Sequence, residues 1–159
     1  ASIFGIFTAT YYWFPKMFGR QMNENLGKIH FWFTFIGVNA IFMPMHFLGI
    51  AGHPRRYADL SGFNFLAEMW PLHLFISIVA FITITAQFVF LFNFFWSLFR
   101  GRKAAMNPWN ATTLEWEIPS PPPHDNFGDR QLTVCHGPYE YSVPGRERDF
   151  VMQTEGEQE

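Results

Sequence analysis

Residues 69–99 read MWPLHLFISIVAFITITAQFVFLFNFFWSLF, thirty-one positions without a charged side chain. A hydrocarbon core about 30 Å thick is crossed by roughly 20 apolar residues of helix, so this run spans a bilayer with room for tilt. Residues 29–54 form a second uncharged run that passes the same test. A third, 1–15, is shorter and ends in Tyr11-Tyr12-Trp13-Phe14-Pro15 before Lys16. Aromatics followed by a basic residue mark a helix end at the headgroup level. The run does not have the charge pattern of a signal peptide, and Ala1 is expected to lie inside a helix whose beginning precedes it.

Charge divides the 159 residues unevenly. Positions 1–99 hold five basic and three acidic side chains, a net +2, whereas 100–159 hold six basic and ten acidic, a net −4. A soluble domain carries about a quarter charged residues throughout; the first part does not, and its hydrophobicity excludes disorder. No basic tract offers a nucleic-acid surface, so no nucleic-acid partner is expected. The lone Cys135 cannot staple the chain, and no Cys/His cluster suggests zinc. The expectation is an all-α membrane protein with a polar tail. Its parts are a truncated transmembrane helix at 1–18, transmembrane helices at 28–49 and 69–99, an outer loop at 50–68, and a Pro-rich cytoplasmic tail at 100–159. Lys16, Arg20 and Lys28 share one side with Arg100, Arg102 and Lys103, against Arg55 and Arg56 opposite. The positive-inside bias places the six in the cytoplasm, which leaves the arginine pair on the disfavoured side, in need of a reason.

The spans also carry polar groups. Pro44 is expected to kink the second near its outer end. In the third, His73, Ser77, Ala80, Thr83 and Gln87 fall on one helical stripe. Small and polar stripes in lipid face protein, and three helices do not bury this much polarity between them; further helices from another chain or another part of this one are expected. His30 and His46 sit at opposite ends of the second span, about 24 Å apart at helical rise, and cannot share an ion. An intramembrane imidazole is a functional candidate, although one bonded to a neighbouring helix is the commoner outcome. Met43 and Met45 suit soft metals but more often simply pack. No nucleophile with its base and no intramembrane carboxylate pair occurs, so no catalytic residue is assigned here.

The segment His46-Phe47-Leu48-Gly49-Ile50-Ala51-Gly52-His53-Pro54-Arg55-Arg56-Tyr57 leads out of the second span. Gly49 and Gly52 let the backbone turn, and Pro54 pushes His53 toward an extended shape. Neighbouring extended side chains point opposite ways, so Arg55 and Arg56 are expected to fork two different anionic groups; lipid phosphates are the plainer alternative. The tail runs through Asn107-Pro108-Trp109, Thr113-Leu114-Glu115-Trp116 and Pro121-Pro122-Pro123 to Gly137-Pro138-Tyr139-Glu140-Tyr141. Its proline density favours an extended strap docked on another protein surface, with a free tail as the alternative, above all for the last ten residues.

The ordered set Lys28-Ile29-His30-Phe31, Pro44, His46-Phe47-Leu48-Gly49, Pro54-Arg55-Arg56-Tyr57, Thr113-Leu114-Glu115-Trp116 and the three prolines resembles the C-terminal end of subunit I of the haem–copper oxidases, the cytochrome c oxidase family. The resemblance covers the chain to about residue 127 and implies the ends of a twelve-helix bundle: the back of helix 10, then helices 11 and 12. It implies that Arg55 and Arg56 bind the propionates of haem a and the oxygen-binding haem, and that the backbone near Ala58 matches an occasional calcium or sodium site. The family's haem and copper ligands, with a His-x-His pair in helix 10, would precede residue 1, so no metal ligand is expected here and copper is held elsewhere. The implied function is part of a proton-pumping terminal oxidase that reduces O2 with electrons from cytochrome c. The implied partners are the remainder of subunit I, subunits II and III, cytochrome c and membrane lipid. The wording of the tail points to a bacterial inner membrane, with the mitochondrial inner membrane as alternative. A quinol oxidase subunit I and a non-catalytic accessory or assembly protein are the rival readings.

Overall fold

A computed structural model of the chain describes residues 2–56, 59 and 62–156. Three α-helices run along it: α1 (Ser2–Phe18), α2 (Glu24–Ile50) and α3 (Trp70–Arg100). Short 3-10 segments occupy Asn64–Met69 and Leu114–Trp116, and no strand longer than an isolated bridge occurs among the described residues. Two of the helical stretches, Glu24–Ile50 and Asn64–Arg100, are long and apolar enough to cross a membrane. At about 1.5 Å per residue, α2 is roughly 40 Å long, which exceeds a hydrocarbon core of about 30 Å. The chain falls into two compact units, 23–95 and the combination of 1–22 with 96–159.

Residues 23–95 form a helical hairpin. Contacts pair position 23 with 93, 30 with 87, 37 with 83 and 53 with 73, so α2 and α3 are antiparallel. α2 begins at Glu24, ahead of the uncharged run, because Asn23 caps it. The Asn23 Oδ1 accepts from the Leu26 N–H at 3.1 Å, one of the donors every helix start leaves open. Fully buried Asn93 of α3 then grips the cap residue's own backbone: its Oδ1 accepts from the Asn23 N–H at 3.0 Å and its Nδ2 donates to the Asn23 carbonyl at 2.9 Å. α2 continues through Pro44 without a break.

The middle of the hairpin explains part of the polar stripe. Gly37 is buried, and a Cβ there would overlap the Thr83 hydroxyl, so only glycine admits this approach. One turn away, Gln87 donates to Thr34 Oγ1 at 3.0 Å and to the Thr83 carbonyl at 2.9 Å, while its Oε1 meets His30 Nε2 at 3.1 Å. The carbonyl oxygen of Gln87 accepts, so His30 donates from Nε2. His30 and Thr34 are buried. The stripe therefore faces α2 at Thr83 and Gln87. Ser77, by contrast, is exposed and bonds back to the His73 carbonyl of its own helix at 2.9 Å.

In the other unit, α1 ends where Gly19 takes φ +65° and its N–H returns to the Pro15 carbonyl at 2.9 Å, a left-handed stop that glycine adopts without a Cβ penalty. The segment after α3 folds back on this end. The Gln21 N–H reaches the Arg102 carbonyl at 2.8 Å, the Ala104 N–H reaches the Gly19 carbonyl at 2.9 Å, and Arg20 donates to the Gly101 carbonyl at 2.7 Å. The aromatics of the tail dock on α1. Trp109 Nε1 donates to the Tyr12 carbonyl at 2.9 Å, and buried Trp116 donates from Nε1 to the Tyr12 hydroxyl at 2.8 Å. Lys16 is buried against them, donating to the Ile118 carbonyl at 2.7 Å with its ammonium 4.9 Å from the Trp116 ring centre.

The strap expected to dock on another protein thus docks on its own chain. Its far end is held too: the Val151 N–H bonds the Glu140 carbonyl at 3.0 Å and the Gln153 N–H the Thr112 carbonyl at 3.2 Å, with Val151 buried. Such ties at Val151 and Gln153 differ from the free end expected of the last ten residues. The prolines between 108 and 144 disfavour a helix but not a folded strap, because carbonyls and aromatic rings remain free to pack.

Candidate functional site

The outer end of the hairpin carries the residues singled out for function. α2 unwinds over three steps: the N–H groups of Ala51, Gly52 and His53 return to the carbonyls of Phe47, Gly49 and Leu48 at 3.0, 3.1 and 3.0 Å. Gly52 takes φ +89°, and the Phe65 ring lies over its bare Cα side. His53 then turns its ring on the following residue, Nδ1 donating to the Pro54 carbonyl at 2.8 Å.

Arg55 and Arg56 follow in a turn, both exposed. Arg56 adopts φ 65°, the left-handed region that non-glycine residues rarely enter. The pair is therefore not the extended dipeptide that the sequence suggests; Pro54 restricts the residue before it and leaves those after it free to turn. Neither guanidinium makes a hydrogen bond or ion pair to another described residue. Tyr57 and Ala58, including the backbone of the suggested cation site, lie outside the described residues.

Beneath this turn the rings of His53 and His73 lie 5.0 Å apart, centre to centre, inclined by 41°. Trp70 borders His73 at 5.9 Å. His73 Nε2 is buried and has no hydrogen-bond partner, so this imidazole is not the helix-bonded histidine that is the commoner outcome. Sequence reasoning assigned no role to His53; the only signal available was its position directly before Pro54-Arg55-Arg56. The remaining four histidines disperse: His30 joins the Gln87 clamp, exposed His46 donates from Nδ1 to the Phe42 carbonyl of its own helix at 2.7 Å, exposed His124 meets Asp125 at 3.0 Å, and His136 lies in the tail with a buried Nε2 that has no hydrogen-bond partner. No group of three or more His, Cys, Asp or Glu side chains able to hold a metal occurs among the described residues. Met43 and Met45 are exposed along α2.

Comparison with known proteins gives this geometry its family. A family model described as cytochrome C and quinol oxidase polypeptide I matches residues 1–82, which include α1, α2, the outer turn and the start of α3. The alternative cytochrome c oxidase subunit 1 of Bradyrhizobium diazoefficiens is 48% identical over 157 residues, 98% of this chain and 27% of that protein. Cytochrome c oxidase subunit 1 of Synechocystis is 46% identical over 89% of the chain and 25% of its own length, and that of Cereibacter sphaeroides is 44% identical over 79% and 22%. The chain thus spans about a quarter of the length of the curated relatives it matches. A membrane-crossing hairpin, an arginine turn at its mouth and identity running into the folded tail converge on one conclusion: this chain belongs to the cytochrome c and quinol oxidase polypeptide I family.

Proposed function

We propose that the chain works as part of the catalytic subunit of a proton-pumping terminal oxidase that passes electrons from cytochrome c to O2, in a bacterial inner membrane. The observation that carries this is the 48% identity, sustained over 157 residues, with a protein named as a cytochrome c oxidase subunit. The remainder of subunit I, subunits II and III and cytochrome c are its partners in this reading, and lipid surrounds the apolar helix faces.

Haem fits the donor set of the outer turn. Its propionates are carboxylates, and Arg55 and Arg56 are adjacent, permanently charged and exposed. When bound, the haems and copper would supply electron transfer and oxygen reduction; in this reading their metal ligands belong to the remainder of subunit I. The work of this chain is to hold the carboxylates. Each guanidinium offers a planar fork of N–H donors that matches two carboxylate oxygens. Such bonds favour the ionised propionate and thereby adjust the charge felt at the porphyrin.

In the assembled oxidase, Arg55→Ala or Arg56→Ala is expected to shift haem midpoint potentials or accelerate haem loss. Replacement by Lys should restore the charge but only part of the effect, because an ammonium lacks the fork. Unchanged redox titrations and haem content in both alanine variants would remove the propionate role. Electron donation from quinol with none from cytochrome c would move the chain to the quinol oxidases of the same family.

A further inference from the structure

We propose that His53 and His73 form a two-imidazole site for a divalent transition ion, Zn2+ being the natural occupant, which ties the outer turn to the head of α3. Three independent features meet there. The Nδ1–H of His53 is committed to the Pro54 carbonyl at 2.8 Å, which fixes the tautomer and leaves the Nε2 lone pair available. A backbone carbonyl bonded to the far nitrogen is the arrangement that orients metal-ligating histidines. His73 Nε2 is buried without a partner, and a buried polar atom left unsatisfied is destabilising. A cation accepting its lone pair would remove that cost.

The ring separation is the third feature. With Zn–N bonds of about 2.0–2.1 Å and a tetrahedral angle, two imidazoles sharing one ion place their ring centres about 5 Å apart. The observed separation is 5.0 Å, with the planes inclined rather than stacked. Two nitrogen ligands leave the other positions to water, since no third His, Cys, Asp or Glu joins the pair among the described residues. The site is therefore an exchangeable one rather than a closed structural centre. Imidazole pairs favour borderline ions such as Zn2+ over the oxygen-seeking Mg2+ and Ca2+.

The site involves neither arginine, so its fate is separable from the haem reading. The test uses the whole complex purified in detergent, stripped with a mild chelator and titrated with Zn2+ against a chromophoric competitor. His53→Ala and His73→Gln are each expected to weaken one equivalent of binding at least about tenfold, the lower end of what losing even an outer partner costs a metal site. His46→Ala serves as the control and should leave binding unchanged. Zinc absorption spectroscopy of the wild-type complex should give scattering from two imidazoles. Unaltered Zn2+ stoichiometry and affinity in both variants, with haem spectra intact, would overturn the site and leave the rings as a packed aromatic pair. Altered haem potentials in Arg55→Ala or Arg56→Ala, or their absence, have no bearing on that outcome.

Discussion

At the scale of single residues, the hairpin rests on a few positions with no substitute. Gly37 is the clearest, since a side chain there meets Thr83 before it meets anything deformable. Gly37→Val is expected to cost about 1–3 kcal/mol, the usual range for overpacking, and to lower the thermal stability of the detergent-solubilised protein. Gly37→Val with Thr83→Ala should recover part of the loss. The His30–Gln87 bond invites a smaller expectation: polar contacts between membrane helices average about 0.6 kcal/mol in double-mutant cycles, with a maximum near 1.7. A cycle of His30→Phe and Gln87→Leu should return a coupling in that range. A coupling near zero would mean that Thr34 and the Thr83 carbonyl alone hold the amide. The existence of this stripe was readable from spacing along one helix; its opposite number on α2, Gly37, was not, because nothing local ties positions 37 and 83.

At the scale of elements, two ties decide where chain segments end and dock. Asn93 holds both backbone groups of the α2 cap residue. Asn93→Leu removes both hydrogen bonds and leaves a backbone donor and acceptor to find water. A net loss of about 1–3 kcal/mol is expected, counting roughly 0.5–1.5 per bond, with faster amide exchange over Asn23–Leu26 as the local readout. Lys16 plays the matching part for the tail. Its buried ammonium donates to the Ile118 carbonyl and lies against Trp116, and hydrogen bonds from charged groups are worth about 1.5–3 kcal/mol. Lys16→Met should accelerate limited proteolysis in 119–131 at least about tenfold, since 1.4 kcal/mol is a factor of ten in an opening equilibrium. An unchanged cleavage rate would show that the tryptophans alone suffice. The proline-rich composition announced an extended segment here, but composition carries no address, and the partner proved to be α1 of the same chain.

At the scale of the whole molecule, the apolar surface is the governing fact. Ile50, Phe81 and Phe99 are 85%, 72% and 70% exposed, a pattern that water would penalise and hydrocarbon does not. In lipid, an exposed phenylalanine has no drive inward, which is why close contacts and polar ties, rather than apolar burial, hold α2 to α3. Ile84→Arg near the middle of α3 is expected to cost about 2.5–3.5 kcal/mol of membrane insertion, measurable as a fall in the integrated fraction in a translocation assay. The same substitution at Gln131 in the tail should leave insertion unchanged.

The sequence by itself determined the helical class, the membrane-crossing runs, the family and the arginine pair, because uncharged length and motif order are properties of a chain in one dimension. Only the tertiary structure decided which polar groups satisfy one another: Asn93 with the α2 cap, Gln87 with His30, Lys16 with the Ile118 carbonyl. It also decided that the buried Nε2 of His73 is left without a hydrogen bond and stands beside His53. Those pairings join residues 20 to more than 100 positions apart, and hydrogen bonds are too short-ranged and directional for composition or local spacing to encode them.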